Sequence, residues 1–162
     1  MKNIKFISIL WFALINFNSL HAQIIPAFEL NNPKGISLNY EDLKGEKLTI
    51  IDFWATWCKP CLNAIPRLIE LSEKYQDKGV KFIGISVDGP RSIAKVLPMV
   101  ETLKISYPVL LDQDMNIANQ LNIAAFPTLL FVGPNNKILQ FHEGFSSGEE
   151  KEIEKEIQKY LK

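Results

Sequence analysis

Cysteine is almost missing from this chain: 162 residues hold two, Cys58 and Cys61. A framework of structural disulfides is therefore excluded. Histidine is as scarce, with only His21 and His142. A four-ligand zinc site would have to recruit both histidines along with both cysteines. Net charge is lacking too: 18 Lys and Arg balance 18 Asp and Glu, so no basic field points to nucleic acid. Internal repeats and low-complexity tracts are absent. The mostly apolar stretch near the start, Phe6 to Phe17, has only twelve residues. As a helix it spans about 18 Å, short of a hydrocarbon core of about 30 Å.

What is present begins with enough apolar material for one core. Hydrophobic residues make up 47% of a chain of single-domain length. Met1-Lys2-Asn3-Ile4-Lys5 is a short basic start, the apolar stretch follows, and Asn18-Ser19-Leu20-His21-Ala22 turns polar and ends on a small residue. That is the anatomy of a secretory signal peptide, with cleavage expected after Ala22, although Leu20 is larger than ideal three residues before the bond. The expected organisation is a signal peptide over 1–22 and one domain over 23–162. The alternative is an uncleaved membrane anchor, for which even Ile4 to Leu20 is marginal and carries Asn16 and Asn18. No cysteine follows the apolar run, so a lipid-modified N-terminal cysteine is excluded. Cleavage removes Lys2, Lys5 and His21, leaving 16 basic and 18 acidic residues and one ligand fewer for zinc. Export places the two thiols outside the reducing cytosol.

Those thiols sit in the stretch that organises the chain, Ile50-Ile51-Asp52-Phe53-Trp54-Ala55-Thr56-Trp57-Cys58-Lys59-Pro60-Cys61. An apolar, β-favouring run leads in and a helical pattern leads out, which puts both cysteines where a strand ends and a helix begins. A thiol there meets free backbone N–H groups and the positive end of the helix dipole, which favour thiolate. A cysteine with a pKa of about 8.5 is roughly 3% ionised at pH 7, and a pKa of about 7 makes that half. Lys59 adds positive charge between them. Three other readings stand beside a redox dithiol. They are a structural disulfide, whose four-residue loop constrains little entropy, a pair of zinc ligands, and two unrelated buried cysteines. C-x-x-C beside a βαβ pattern is the specific signal for the redox dithiol. Asp52, six residues before Cys58, is a carboxyl inside a buried apolar strand, where a charge is costly. It is either a strand-edge acid reaching water or a functional carboxyl with a raised pKa.

The rest of the chain reads as alternating elements. Ala27 to Leu30 and Ile36 to Tyr40 are short strands around a turn, and Glu41 to Gly45 is a second turn. Lys47 to Trp54 is a strand apolar on both faces, as in a buried parallel sheet. Lys59 to about Asp77 is a helix with Pro66 inside it and Gly79 as its stop. Val80 to Val87 is a strand, Ser92 to Leu103 a helix containing Pro98, Pro108 to Leu111 a strand, and Met115 to Leu121 a short helix. Thr128 to Val132 and Lys137 to His142 form a hairpin around Gly133-Pro134-Asn135-Asn136. A last helix runs from about Gly148 to Leu161, with Ser147 and Glu150 at capping-box spacing. His142 is expected to be an ordinary surface or hairpin residue.

Phe53-Trp54-Ala55-Thr56-Trp57-Cys58-Lys59-Pro60-Cys61, followed by Pro66, resembles the thioredoxin superfamily. Ile85-Ser86-Val87-Asp88, Tyr107-Pro108-Val109-Leu110-Leu111-Asp112 and Phe126-Pro127-Thr128 resemble its envelope branch, the TlpA/ResA-like thiol-disulfide oxidoreductases. The likeness runs from about Ala27 to the C-terminus. It implies a thioredoxin-like α/β fold, with a central mixed β-sheet flanked by helices, an N-terminal β-hairpin and a central β/α insertion. By the same resemblance Cys58 is the exposed nucleophile and Cys61 the buried resolving thiol. Asp52 takes the Cys61 proton, and Pro60 sets the helix start. Phe126-Pro127-Thr128 is a cis-proline loop facing Cys58, and Trp57, Lys59, Pro60, Phe126, Pro127 and Thr128 meet the substrate. For Trp57 and Phe126 the alternative is plain core packing. The sequence departs from the branch at two positions. Many members have Asn at the position of Asp52 and a Glu three residues after the second cysteine, where this chain has Ala64. Gly84 aligns with a lysine that faces the acid in thioredoxin. The spacing of Thr56 does not fit the Thr-x-x-Cys pattern of peroxiredoxins.

The implied activity is disulfide reduction of envelope client proteins, apocytochrome c among the candidates, by a periplasmic or membrane-anchored monomer. No metal and no cofactor beyond a redox-active Cys58–Cys61 disulfide is implied, and electrons would come from a membrane thiol reductant. Two other expectations stay open: a redox-regulated binding or scaffold domain, and a disulfide oxidase or isomerase.

Overall fold

The computed structural model describes residues 23–162. The expected signal peptide, 1–22, lies outside the described residues. Five strands form the central sheet: β3 (Leu48–Trp54), β4 (Val80–Ser86), β5 (Val109–Leu111), β6 (Thr128–Val132) and β7 (Ile138–Glu143), in the order β5-β4-β3-β6-β7. β3, β4 and β5 run parallel, while β6 and β7 run antiparallel to their neighbours, so the sheet is mixed. A separate antiparallel pair, β1 (Glu29–Asn31) and β2 (Ser37–Asn39), precedes it. The helices are α1 (Tyr40–Leu43), α2 (Lys59–Tyr75), α3 (Val96–Leu103), α4 (Asn116–Gln120) and α5 (Glu150–Tyr160). This is the expected thioredoxin-like architecture, with the N-terminal hairpin and with β5-α4 as the central insertion.

Every residue of β3 is buried, because both faces of the sheet are covered. Alternation sends Leu48, Ile50 and Asp52 to one face and Ile51 and Phe53 to the other. On the first face Leu48, Ile50, Phe82, Leu129 and Phe131 pack against Ala64, Leu68 and Leu71 of α2 and Ile153 and Ile157 of α5. On the second, Ile51, Phe53, Ile83, Ile85 and Leu130 pack with Val96 of α3 and Ile117 and Ala118 of α4. Truncating Ile50 or Leu68 to Ala in such a layer costs about 2–5 kcal/mol.

Local chemistry explains where elements begin and stop, and where the sequence reading needs correction. The expected turn at Glu41 to Gly45 is instead the single helical turn α1, because Asn39 caps it by accepting the Glu41 N–H at 2.9 Å. Pro66 lies on the exposed side of α2 and does not end it. Gly79, at φ 82°, closes the following 3₁₀ turn in the left-handed region that favours glycine. The helix expected from Ser92 begins as a 3₁₀ turn, Ile93–Lys95, and Pro98 falls in the first turn of α3, where its missing N–H costs nothing. The expected capping box does not form at Ser147. Gly148 turns left-handed at φ 98° between it and the helix, so α5 starts at Glu150. Two reversed contacts hold the entry. The Ser146 N–H donates to the Glu149 carboxylate, and the Gly148 N–H donates to Glu150 Oε2 at 3.1 Å.

Candidate active site

The carboxyl end of β3 delivers the chain to the N-terminus of α2, where Cys58 is the N-cap residue. Its Sγ accepts the Cys61 N–H at 3.3 Å, and its carbonyl accepts the Leu62 N–H at 3.1 Å. Pro60 sits in the first helical turn, where no N–H is required. Cys58 and Cys61 are joined as a disulfide with Cα atoms 5.3 Å apart. The expectation of an exposed Cys58 needs correction: it is 6% exposed against 1% for Cys61. The surface at this end is supplied by its neighbour. Trp57 is 61% exposed and meets Phe126 edge-on, with ring centroids 6.0 Å apart. Lys59 and Pro60 are exposed beside it, whereas Trp54 is core.

The Phe126–Pro127 peptide bond is cis. Its loop is held from both sides: the Thr128 hydroxyl donates to the Ala125 carbonyl at 2.8 Å, and the Gly144 N–H donates to the Pro127 carbonyl at 2.8 Å. Pro127 and Thr128 are buried, and Thr128 pairs with Phe53 across the β3–β6 ladder. Among the described residues Phe126, between the two anchored carbonyls, makes no backbone hydrogen bond with its own N–H or C=O.

Asp52 is 1% exposed, on the sheet face covered by α2 and α5. Neither carboxyl oxygen has a hydrogen-bond partner among the described residues, and burial pushes its pKa to about 7. The strand-edge reading, with the acid reaching water, does not fit that burial. Ala64, at the position where a second acid was sought, is buried in the same layer.

Asp88 was quoted in the sequence only as part of a motif, and it organises the loop before Cys58. Fully buried, it accepts the Thr56 N–H at 2.8 Å, the Thr56 hydroxyl at 2.6 Å and the Ser86 hydroxyl at 2.9 Å. An acid just past the carboxyl end of a central parallel strand was the available signal. Asp112, past β5, likewise accepts the Ile117 and Ala118 N–H groups at 3.0 and 2.9 Å at the start of α4. His142 lies on β7 of the expected β6–β7 hairpin, half-buried, with its Nε2 shielded and without a hydrogen-bond partner among the described residues. Among the described residues no group of three or more His, Cys, Asp or Glu could hold a metal ion.

The family model described as AhpC/TSA matches residues 22–141. The chain belongs to that family. Within it, the chain is 28% identical over 137 residues to the thiol-disulfide oxidoreductase ResA of Bacillus thuringiensis subsp. konkukian, covering 85% of this chain and 74% of the relative. The structure of a Chlorobium tepidum protein described as a candidate DsbE thiol:disulfide interchange protein matches with a TM-score of 0.79 at 23% identity, covering 87% and 97% of the two chains. An uncharacterised thioredoxin-like protein of Porphyromonas gingivalis matches with a TM-score of 0.70 at 33% identity, covering 86% and 92%. The chain is a thioredoxin-like thiol-disulfide oxidoreductase carrying its cysteines as Cys58-x-x-Cys61. The Thr56 hydroxyl, committed to Asp88, adds a second reason against peroxiredoxin chemistry at that threonine.

Proposed function

We propose that the chain is an exported reductant of disulfides in envelope proteins, with Cys58 as nucleophile, Cys61 as resolving thiol and Asp52 as proton acceptor. The observation that carries this is the Cys58 sulfur at the N-cap of α2, beside an exposed Trp57 and a cis-proline loop whose Phe126 backbone is unpaired. In the reduced protein the Cys58 thiolate, favoured by the helix N-terminus, attacks a client disulfide. A client segment pairs its main chain with Phe126 while Trp57 and Phe126 flank the sulfur and Lys59, Pro60, Pro127 and Thr128 frame it. One client sulfur leaves as thiolate, and a mixed disulfide to Cys58 remains. Asp52 takes the Cys61 proton, the Cys61 thiolate attacks Cys58 Sγ, and the second client sulfur leaves with its electron pair. The client is reduced by two electrons and the pair becomes the Cys58–Cys61 disulfide, which serves as the redox group without another cofactor. With Asp52 near pKa 7, its base form is half populated at neutral pH.

Export rests on the signal-peptide anatomy of residues 1–22. No helix among the described residues is long and apolar enough to cross a membrane. Clients are disulfide-containing envelope proteins, apocytochrome c among them, and a membrane thiol reductant restores the dithiol of this monomer. In the test, Cys58→Ser abolishes reduction of a disulfide peptide, while Cys61→Ser accumulates a mixed disulfide recoverable from cells with its client. Faster alkylation of Cys61 than of Cys58 near pH 7 would reverse the two roles. Mass spectrometry of protein made from the full sequence should find the mature chain starting near Gln23.

A further inference from the structure

Asp52 lies beside Gly84 of β4 in the cross-strand register, and Gly84 lies beside Val109 of β5. Gly84 has no side chain, and the space above it is filled by others. A Cβ there would lie 3.2 Å from Trp54 Nε1, 3.3 Å from Tyr107 Cε2 and 3.4 Å from Val109 Cγ2. Tyr107 enters from just before β5, its ring 6.0 Å from that of Phe82, and reaches over Gly84 into the layer that holds Asp52. Its Oη is buried and has no hydrogen-bond partner, like both oxygens of Asp52. Burial raises the phenol well above its ordinary range, and the neighbouring Asp52 charge raises it further. Orphaned polar atoms in one apolar layer are costly. No direct bond joins them, and a phenol O–H directed at the carboxylate across one water satisfies them together.

We propose that Tyr107 is a positioning residue for the resolving step: its hydroxyl, through one bridging water, supports the Asp52 carboxylate and so keeps that carboxylate available to take the Cys61 proton. This rests on the reading of Asp52 as proton acceptor. The hydroxyl transfers nothing itself; it stabilises the charged form and lowers the Asp52 pKa relative to the same site without a donor. The Trp54 indole N–H, 3.2 Å from the same point above Gly84, is a second donor in this space, and the remaining groups around Asp52 supply none. Gly84 and Leu129 flank it on β4 and β6. Ala64 and Leu68 of α2 and Ile153 and Ile157 of α5 line the layer. α2 also carries the cysteine pair at its start and, at its far end, Tyr75, which is bonded to Glu154. His142 stands one strand beyond Leu129 in the same cross-strand row.

The experiment compares wild type, Tyr107→Phe, Asp52→Asn and the double variant, all reduced. The Asp52 carboxyl is titrated by carbon NMR, and the resolving step is timed against pH with a disulfide peptide. Phenylalanine keeps the ring over Gly84, so folding is retained. The expected result is an Asp52 midpoint about one unit higher in Tyr107→Phe, from the loss of one hydrogen bond to a charged group. Resolution at pH 7 then slows about fivefold, its pH profile moves up to match, and the double variant shows no effect beyond Asp52→Asn. An unchanged Asp52 midpoint in Tyr107→Phe overturns the proposal. A shifted midpoint combined with an unchanged pH profile in Asp52→Asn overturns instead the assignment of Asp52 as base, and the role of Tyr107 in resolution with it.

Discussion

Asp52 and Asp88 lie at the carboxyl ends of adjacent parallel strands, and both are sealed from solvent, at 1% and 0% exposure. Their surroundings differ. Asp88 faces a loop and takes three short hydrogen bonds, two from Thr56 and one from Ser86. Asp52 faces an apolar layer and takes none directly from the described residues. A carboxylate with three donors is compensated for its burial and serves as an anchor. A carboxylate without a direct protein donor resists ionisation until about pH 7, where it exchanges protons in the neutral range. Burial alone therefore does not separate structural from chemical acids; the donors around each one do.

The largest effect is expected from Asp52→Asn on stability. The folded-state pKa, about 7, lies above the unfolded value near 3.8. The protonated folded form is thus favoured: the contribution is full below about 3.8, is lost as pH rises from there through about 7, and is level above, where both states are ionised and the native state buries a charge. Three units correspond to about 4 kcal/mol, so Asp52→Asn should gain up to that amount above pH 8 and little near pH 4. Urea unfolding of the oxidised protein at both pH values measures this. A gain independent of pH would mean that Asp52 is not ionising inside the fold.

Asp88→Ala should act in the opposite sense, costing about 3 kcal/mol, since it strands a buried N–H and two buried hydroxyls. The loss is also expected to loosen Thr56, two residues before Cys58, and to slow formation of the mixed disulfide. Urea unfolding at pH 7 and single-turnover reduction of a disulfide peptide provide the two readouts. A cost below about 1 kcal/mol with unchanged first-step kinetics would remove Asp88 from its anchoring role.

How far each acid was legible in the sequence follows from the same contrast. Asp52 stood out because one charged letter interrupts a strand that is otherwise apolar, and strand periodicity is local. The Cys58-x-x-Cys61 junction and the order of the elements were legible for the same reason, as was Phe126-Pro127-Thr128 through its resemblance. Asp88 was not legible as an anchor, because its partner Thr56 is 32 positions away and only the parallel register of β3 and β4 joins them. Tyr107 over Gly84 depends on the β4–β5 register in the same way. The coverage of Cys58 is a property of packing between the helix start and the loops, which residue order does not carry. The smaller misreadings were local: Asn39 turned a predicted turn into a helix, and Gly148 moved the α5 entry past Ser147.

The smallest effect calibrates the solvent end of the comparison. Glu154 of α5 accepts a hydrogen bond from the Tyr75 hydroxyl and pairs with Lys74, both at 2.6 Å, tying α5 to the end of α2. Like Asp88 it accepts a hydroxyl, but its other partner is a cation, and the Lys74 ammonium with the Tyr75 hydroxyl lowers its pKa. A lowered folded-state pKa gives stability that is present above the unfolded value and is lost as pH falls through the folded one. Water, however, already solvates this carboxylate when it is unpaired, and exposed pairs contribute about 0–1 kcal/mol. Glu154→Gln should therefore cost less than about 1 kcal/mol at pH 7, with a smaller cost in high salt and at acid pH. Urea unfolding with and without salt gives the test. A cost as large as that of Asp88→Ala would show that partner number, rather than partner number combined with burial, sets the strength of an anchoring acid in this fold.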